Sequence, residues 1–248
     1  MQPASKIQLP NVTLISVSGI KIEDALFALA KSSSEIQFAA VKLIGVEKPP
    51  VLPVGISFEV AHENLLDSID AYSHYVLYDL WRHVETEFCL VVQGDGYVLH
   101  PTSWADDFLK YDYIGAPWFL SQNAYIDPFG NHQRVGNGGF SLRSRKLLTT
   151  PKRIDIPWDV NSDDFYRHMN AGLFSEDGNI CVHNRHLFES DGCVFAPIET
   201  ASSFSIENRL SEHRGKQPFG FHKHLPSLKW KIRIAREKRH FLGELRNG

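Results

Sequence analysis

The stretch FCLVVQGDGYVLHP, residues 88–101, carries an apolar, β-branched run that ends abruptly in Gln-Gly-Asp-Gly. It reads as a buried strand delivering one carboxylate, Asp95, to its C-terminal end between two glycines. In open α/β sheets ligands bind beyond the carboxyl ends of the strands. A lone carboxylate there, without bulky neighbours, suits a divalent cation or a metal carried on a ligand's phosphates. Taken alone, an Asp-Gly turn accounts for the same residues.

Upstream, the pattern repeats strand and helix. Residues 12–17 (VTLISV) predict a first strand, 22–30 an amphipathic helix, 38–44 a second strand and 54–58 a short third one. Over 65–84, Leu65, Ile69, Tyr72, Val76, Leu80 and Val84 recur at spacings of three or four, which predicts a long helix with Asn64 as its N-cap. This alternation predicts a parallel, doubly wound sheet. Downstream it loosens: 111–118 and 194–197 read as strands, 121–135 as loop, 144–148 as a helix start and 162–172 as another helix.

Whole-chain properties narrow the class. The 248 residues, 43% apolar with a net charge of -3, suit one large domain with an ordinary soluble surface. Nothing in that balance points to nucleic acid as the partner. Cys89, Cys181 and Cys193 form no CxxC pair, which argues for a reducing compartment and against structural zinc. The N-terminus lacks the charged start and apolar run of a signal peptide, and no stretch approaches the ~20 apolar residues of a membrane span. A cytoplasmic location is expected.

Three more clusters could carry chemistry. In VGNGGFSLRS (135–144), glycines around Asn137 permit positive φ and close approach of a ligand, as a plain hairpin turn would too. Ser175-Glu176-Asp177-Gly178 puts two carboxylates side by side, a possible general base or an acidic turn. In Phe219-Gly220-Phe221-His222-Lys223-His224, two imidazoles flank a lysine and would share one face of a strand. Imidazole with carboxylate suits Mn²⁺ or a similar ion. Each cluster alone has a structural explanation; their order is the stronger signal. Asp95, Gly136, Asp177 and His222 follow one another at 41, 41 and 45 residues.

That order resembles the GT-A glycosyltransferase superfamily. The likeness is carried by SHYVLYDLWRHVETEFCLVVQGDGYVLHPTSWADDFLKYDYIGAPW, VGNGGFSLRSRKLL, SEDGNICVHNR, FAPIETASSFSIE and FGFHKHLP, and covers roughly residues 10–225. It is similar to an uncharacterised bacterial GT-A-like family associated with surface polysaccharide genes. The resemblance implies a Rossmann-type, mostly parallel central sheet flanked by helices, with a looser C-terminal acceptor half. A single domain would span 1–226, its nucleotide-binding half about 10–100 and its acceptor half 101–226. It implies a nucleotide-sugar donor, a saccharide or lipid-linked acceptor, and Mn²⁺ or Mg²⁺ held by Asp95 and His222. Gln93, Asp95, Gly136, Asn137, Gly138 and Gly139 would line the donor site. Asp177, or its neighbour Glu176, would be the catalytic base of an inverting transfer. One departure stands out: Gln93 occupies the first aspartate position of the superfamily's DxD. That neutral residue equally suits a non-catalytic carbohydrate- or nucleotide-binding module. A metal-dependent phosphohydrolase using His183, His186, His222 and His224 is a third possibility.

Outside the resemblance, residues 227–248 form a basic amphipathic helix. Lys229, Lys231, Arg233, Arg236, Lys238, Arg239 and Arg246 interleave with Trp230, Ile232, Ile234, Phe241 and Leu242. Such a helix suits an anionic membrane surface, here the inner face of the cytoplasmic membrane, or packs by its apolar edge on the domain.

Overall fold

The structure is a computed structural model that describes residues 6–61, 66–120, 125–158, 175–223 and 227–247. Strand β1 (Ile7–Val17) is followed by α1 (Ile22–Ser32), β2 (Ile36–Gly45), β3 (Ser57–Val60), α2 (Ile69–Tyr78), β4 (Phe88–Val92), β5 (Gly96–Val98), β6 (Tyr113–Ile114), β7 (Phe140–Ser144) and α3 (Arg145–Arg153). After a helical turn at Glu176–Gly178 and a π-type turn at Asn179–His183 come α4 (Arg185–Ser190), α5 (Ile198–Phe204), β8 (Ser205–Ile206), β9 (Gly220–His222) and α6 (Leu228–Asn247).

Six strands form the central sheet in the order β3-β2-β1-β4-β7-β6. The four N-terminal members are parallel, whereas β7 runs antiparallel to both β4 and β6. Alternation along the strands explains the layers. In β4, Leu90 and Val92 join one buried cluster with Leu14 of β1 and Leu26 of α1. Cys89 and Val91 join the opposite cluster with Ile15 of β1 and Tyr75 and Val76 of α2. Helices therefore cover both faces, and each fully buried aliphatic side chain contributes about 1.5–3 kcal/mol.

The predicted helix over 65–84 is divided. Ser68, not Asn64, caps α2 by accepting from Ala71 N at 3.1 Å, and Asn64 lies outside the described residues. After Asp79 the chain tightens into a 3₁₀ turn, Leu80–His83, which carries His83 back to Tyr75 and Glu59. The third strand starts later than expected because Pro53 and Gly55 (φ 85°) make a turn ahead of it. The strand expected over 111–118 shrinks to Tyr113–Ile114, and the one at 194–197 to a single bridge between Phe195 and Tyr113. The helix expected over 162–172 falls outside the described residues.

A second, three-stranded sheet, β5-β9-β8, was not foreseen from the sequence. It matters because its register sets Gly96 opposite His222. The C-terminal helix α6 packs on α1. Ile234 is buried, Phe241 meets Phe27 edge-on at 5.5 Å, and Lys31–Glu237 and Asp24–Lys238 ion pairs flank them at 2.8 Å. Among the described residues no helix is long and apolar enough to cross a membrane.

Candidate functional site

A cleft of about 660 Å³ opens at the carboxyl edge of the central sheet. Two chain reversals build its floor. β4 leaves the sheet at Val92, and its antiparallel neighbour β7 enters opposite it at Phe140. The Gln-Gly-Asp-Gly turn and the glycine loop 136–139 thus sit side by side, joined by Gln93 N donating to Gly139 O at 2.9 Å. Gly94 lies against the first turn of α1, where an added Cβ would be 2.6 Å from that of Asp24.

β9 delivers His222 to the same place. Its Nε2 is 3.1 Å from Gln93 Oε1 and 3.2 Å from Asp95 Oδ1, while Gln93 Nε2 donates to Tyr72 Oη at 2.9 Å. On the other side of the ring, Nδ1 is 3.6 Å from Glu207 Oε1, which also pairs with Lys223 at 3.1 Å. Burial disfavours the charged imidazole, but hydrogen bonds and charge from Asp95 and Glu207 outweigh it and raise the His222 pKa. Burial would raise the Glu207 carboxyl; His222 and Lys223 instead bring it down to about 2. Burial pushes Asp95 up as well, and His222 holds it below the ordinary carboxylate range.

Gln93 Oε1, Asp95 Oδ1 and His222 Nε2 are the atoms that could hold a divalent cation here. Donors around one cation at 2.0–2.2 Å lie about 3 Å apart, close to the separations of Gln93 Oε1 and Asp95 Oδ1 from His222 Nε2. The amide oxygen of Gln93 donates without charge, and Glu207 behind the imidazole would orient it. Among the described residues no group of three or more His, Cys, Asp or Glu side chains is placed to hold a metal ion. Further positions would therefore fall to ligand oxygens.

The acidic pair divides its work. Asp177 lines the cleft, and its carboxylate accepts from Gly138 N at 3.0 Å, Ser175 Oγ at 2.5 Å and Gly178 N at 2.9 Å. Glu176, only 3% exposed, pairs at 2.8 Å with Arg143, itself fully buried beneath the glycine loop. Burial raises the Glu176 pKa against the opposing pull of Arg143. Arg143 also donates to Ser141 Oγ and to Gly138 O of the glycine turn and stacks over Tyr113, so its guanidinium is spent inside the protein.

The glycine loop works differently from the sequence expectation. Positive φ falls on Asn137 (66°), not on its glycines. The glycines are needed for want of a Cβ, which would lie 1.9 Å from Glu176 Oε1 at Gly138, 2.1 Å from His222 Nε2 at Gly139 and 1.8 Å from Trp118 at Gly136. Asn137, Gly138 and Gly139 line the cleft together with Gln93, Asp95, Glu176, Asp177 and His222; Gly136 stands behind, against Trp118. His183 and His186 do not line it, and His224 lies outside the described residues. Among nearby aromatic residues, Trp118 lines the cleft, Phe119 is exposed outside it, and Trp158 packs with His74 and Tyr78. Sequence reasoning missed Tyr72, Tyr125, Glu207 and Lys223. Glu207 had a signal: it closes the FSIE segment that enters β8 and leaves toward the site.

The fold has solved counterparts. Galactosyltransferase LgtC, in complex with donor and acceptor sugar analogs, superimposes with a TM-score of 0.57 at 13% identity, over 94% of this chain and 96% of that one. An active-site mutant of LgtC gives a TM-score of 0.52 at 12% identity with the same coverage. At these identities the likeness shows the fold alone: mixed α/β and GT-A-like. No curated protein matches the chain. A family model described as DUF5672, protein of unknown function, matches residues 55–222, a span running from the turn before β3 to His222 and containing the Gln-Gly-Asp-Gly turn, the glycine loop and the acidic pair. The chain belongs to the DUF5672 family.

Proposed function

We propose that the protein is a nucleotide-sugar-dependent glycosyltransferase acting on a saccharide or lipid-linked acceptor in surface polysaccharide synthesis. One observation carries the reading: Asp95, Gln93 and His222 converge at the sheet's carboxyl edge, in the same cleft as an Asp177 fixed by the glycine loop. In this reading residues of about 10–100 hold the donor nucleotide and 101–226 the acceptor.

Asp95 and His222, with Gln93, would hold Mn²⁺ or Mg²⁺, which would offset charge on the departing diphosphate. Lys223 adds a cation beside Glu207 and feels the charges of Asp177 and Asp95. Asp177 would take the proton of an acceptor hydroxyl as that oxygen bonds to the anomeric carbon. The bond from that carbon to the diphosphate breaks, the nucleoside diphosphate leaves, and the configuration inverts. Glu176, locked onto Arg143, supports the loop instead of exchanging protons. The exposed basic face of α6 would hold the enzyme at the inner surface of the cytoplasmic membrane.

Thermal unfolding with UDP, GDP, dTDP or CMP, with and without Mn²⁺, tests the donor site on wild type and Asp95→Ala. A nucleotide at 100 times its Kd stabilises by about 2.7 kcal/mol, several degrees for most domains. A Mn²⁺-dependent shift with one nucleotide, lost in Asp95→Ala, is expected; no shift with any nucleotide would overturn the reading. A non-catalytic binding module is the second reading, favoured by the neutral Gln93. Slow, metal-dependent hydrolysis of a bound donor separates the two, because a pure binder shows none.

A further inference from the structure

We infer that α6 sets the spacing of Asp95 and His222, with Phe241 as its positioning residue, an inference that takes the cation role of that pair from the transferase reading. It acts on both residues through α1. An aromatic column runs from α6 to the two strands that carry the pair. Phe241 meets Phe27 of α1 edge-on, with ring centroids 5.5 Å apart. Phe27 meets Tyr97 of β5 edge-on at 5.6 Å, and Tyr97 meets Phe221 of β9 edge-on at 4.6 Å. Tyr97 follows Gly96, which closes the Gln-Gly-Asp-Gly turn, and Phe221 immediately precedes His222. The two rings also face each other across the β5–β9 ladder, one step from the pairing of Gly96 with His222. Phe27, Tyr97 and Phe221 are all buried, and close-packed interiors transmit a displacement from one side chain to the next.

α1 is also held against the turn itself. A Cβ at Gly94 would lie 2.6 Å from that of Asp24, so the first turn of α1 rests directly on the turn that carries Asp95. Lys238 of α6 pairs with the Asp24 carboxylate at 2.8 Å. At the other end of α1, Ser32 Oγ accepts from Val98 N of β5 at 3.2 Å. α1 is thus fixed to the turn at one end and to β5 at the other, and α6 clamps it from outside. The clamp has work to do because the cation donors come from separate strand ends: Gln93 and Asp95 follow β4, whereas His222 closes β9. Packing alone holds them at donor spacing, and groups that orient metal ligands from behind are worth about 10–100-fold in metal affinity.

Mn²⁺ titration followed by electron paramagnetic resonance, and the imidazole ¹⁵N signal of His222, provide the test on full-length wild type, Phe241→Ala and Phe241→Tyr at one fixed pH. The signal is assigned by its absence from His222→Asn, and every reading is taken well below the melting temperature of the variant. A purely structural Phe241 would lower that temperature and leave both readings of the folded protein unchanged. We expect Phe241→Ala to weaken Mn²⁺ binding about tenfold and to shift the His222 signal, and Phe241→Tyr, which keeps the ring, to restore both. An unmoved His222 signal in folded Phe241→Ala overturns the inference, as does an equal shift in Phe241→Tyr. If Phe241→Ala does not fold, Phe241→Leu takes its place, and an unmoved signal there overturns it in the same way. Absence of Mn²⁺ binding by wild type, with or without UDP or GDP, sinks the cation reading alone, and the His222 signal still decides the positioning role.

Discussion

Asp177 and Gly139 illustrate how differently two neighbours in one cleft respond to substitution. Asp177→Asn keeps the side chain's shape and one acceptor oxygen, which can serve either Gly138 N or the Ser175 Oγ and Gly178 N pair, because these donors bind different oxygens of the carboxylate. Donor affinity should stay within about twofold of wild type while turnover falls by about 10²–10⁴, the usual contribution of a positioned base; unchanged turnover would transfer that role away from Asp177. Gly139→Ala acts through space alone, because its methyl would lie 2.1 Å from His222 Nε2. Overpacking of that kind costs about 1–3 kcal/mol. It should also displace His222, so urea titration and Mn²⁺-dependent nucleotide binding should both register it. Arg143→Ala should be worse, at about 3–5 kcal/mol, since it leaves the Glu176 carboxylate buried without its cation.

Among the elements, α6 has two faces that behave separately. Its inner face, with Ile234 and Phe241, is engaged with α1. Removing the helix would therefore uncover Phe27 and confuse membrane binding with unfolding. Lys229 and Arg236 are exposed on the other face, beside exposed Leu228 and Ile232. Lys229→Glu with Arg236→Glu should abolish sedimentation with phosphatidylserine-containing vesicles while shifting the melting temperature by less than about 2 °C; retained sedimentation would remove the membrane role from α6. A second element-level contact joins β2, β3 and the turn after α2, where Glu59 pairs with Lys42 at 2.7 Å and with His83 at 2.5 Å. Burial raises the Glu59 pKa, but hydrogen bonds from Lys42 and His83 and their charges bring it below its ordinary 4.5. A depressed carboxyl stabilises the fold above its unfolded pKa, and that contribution disappears as pH falls through the folded value. Wild type should accordingly lose more stability below about pH 4.5 than Glu59→Gln does, as read from urea titrations in that window.

Across the whole molecule, what was legible in the sequence was what depends on local periodicity. The short apolar, β-branched runs of 12–17 and 88–92 announced buried strands, and the abrupt stop after Val92 announced Asp95 at the sheet's carboxyl edge. His222 and Asp177 were visible as residue types in a plausible order. Their partners were hidden because strand register supplies them: Glu207 reaches His222 only through the pairing of β8 with β9, and Asp95 meets His222 only because β9 lies along β5. Tyr125 was hidden for another reason, since a left-handed backbone at a tyrosine has no sequence signature. Glu176 looked equivalent to Asp177 until burial and Arg143 separated them. The reversed direction of β7 has a consequence for how the chain comes to life on the ribosome. The parallel strands β1 to β4 are complete once residue 92 has emerged, whereas β7 must return across some fifty residues and β9 arrives only with residue 222. A nascent chain can therefore acquire most of its central sheet long before the cleft that gathers Asp95, Asp177 and His222 exists, so nothing that binds that cleft can assist the early stages of folding.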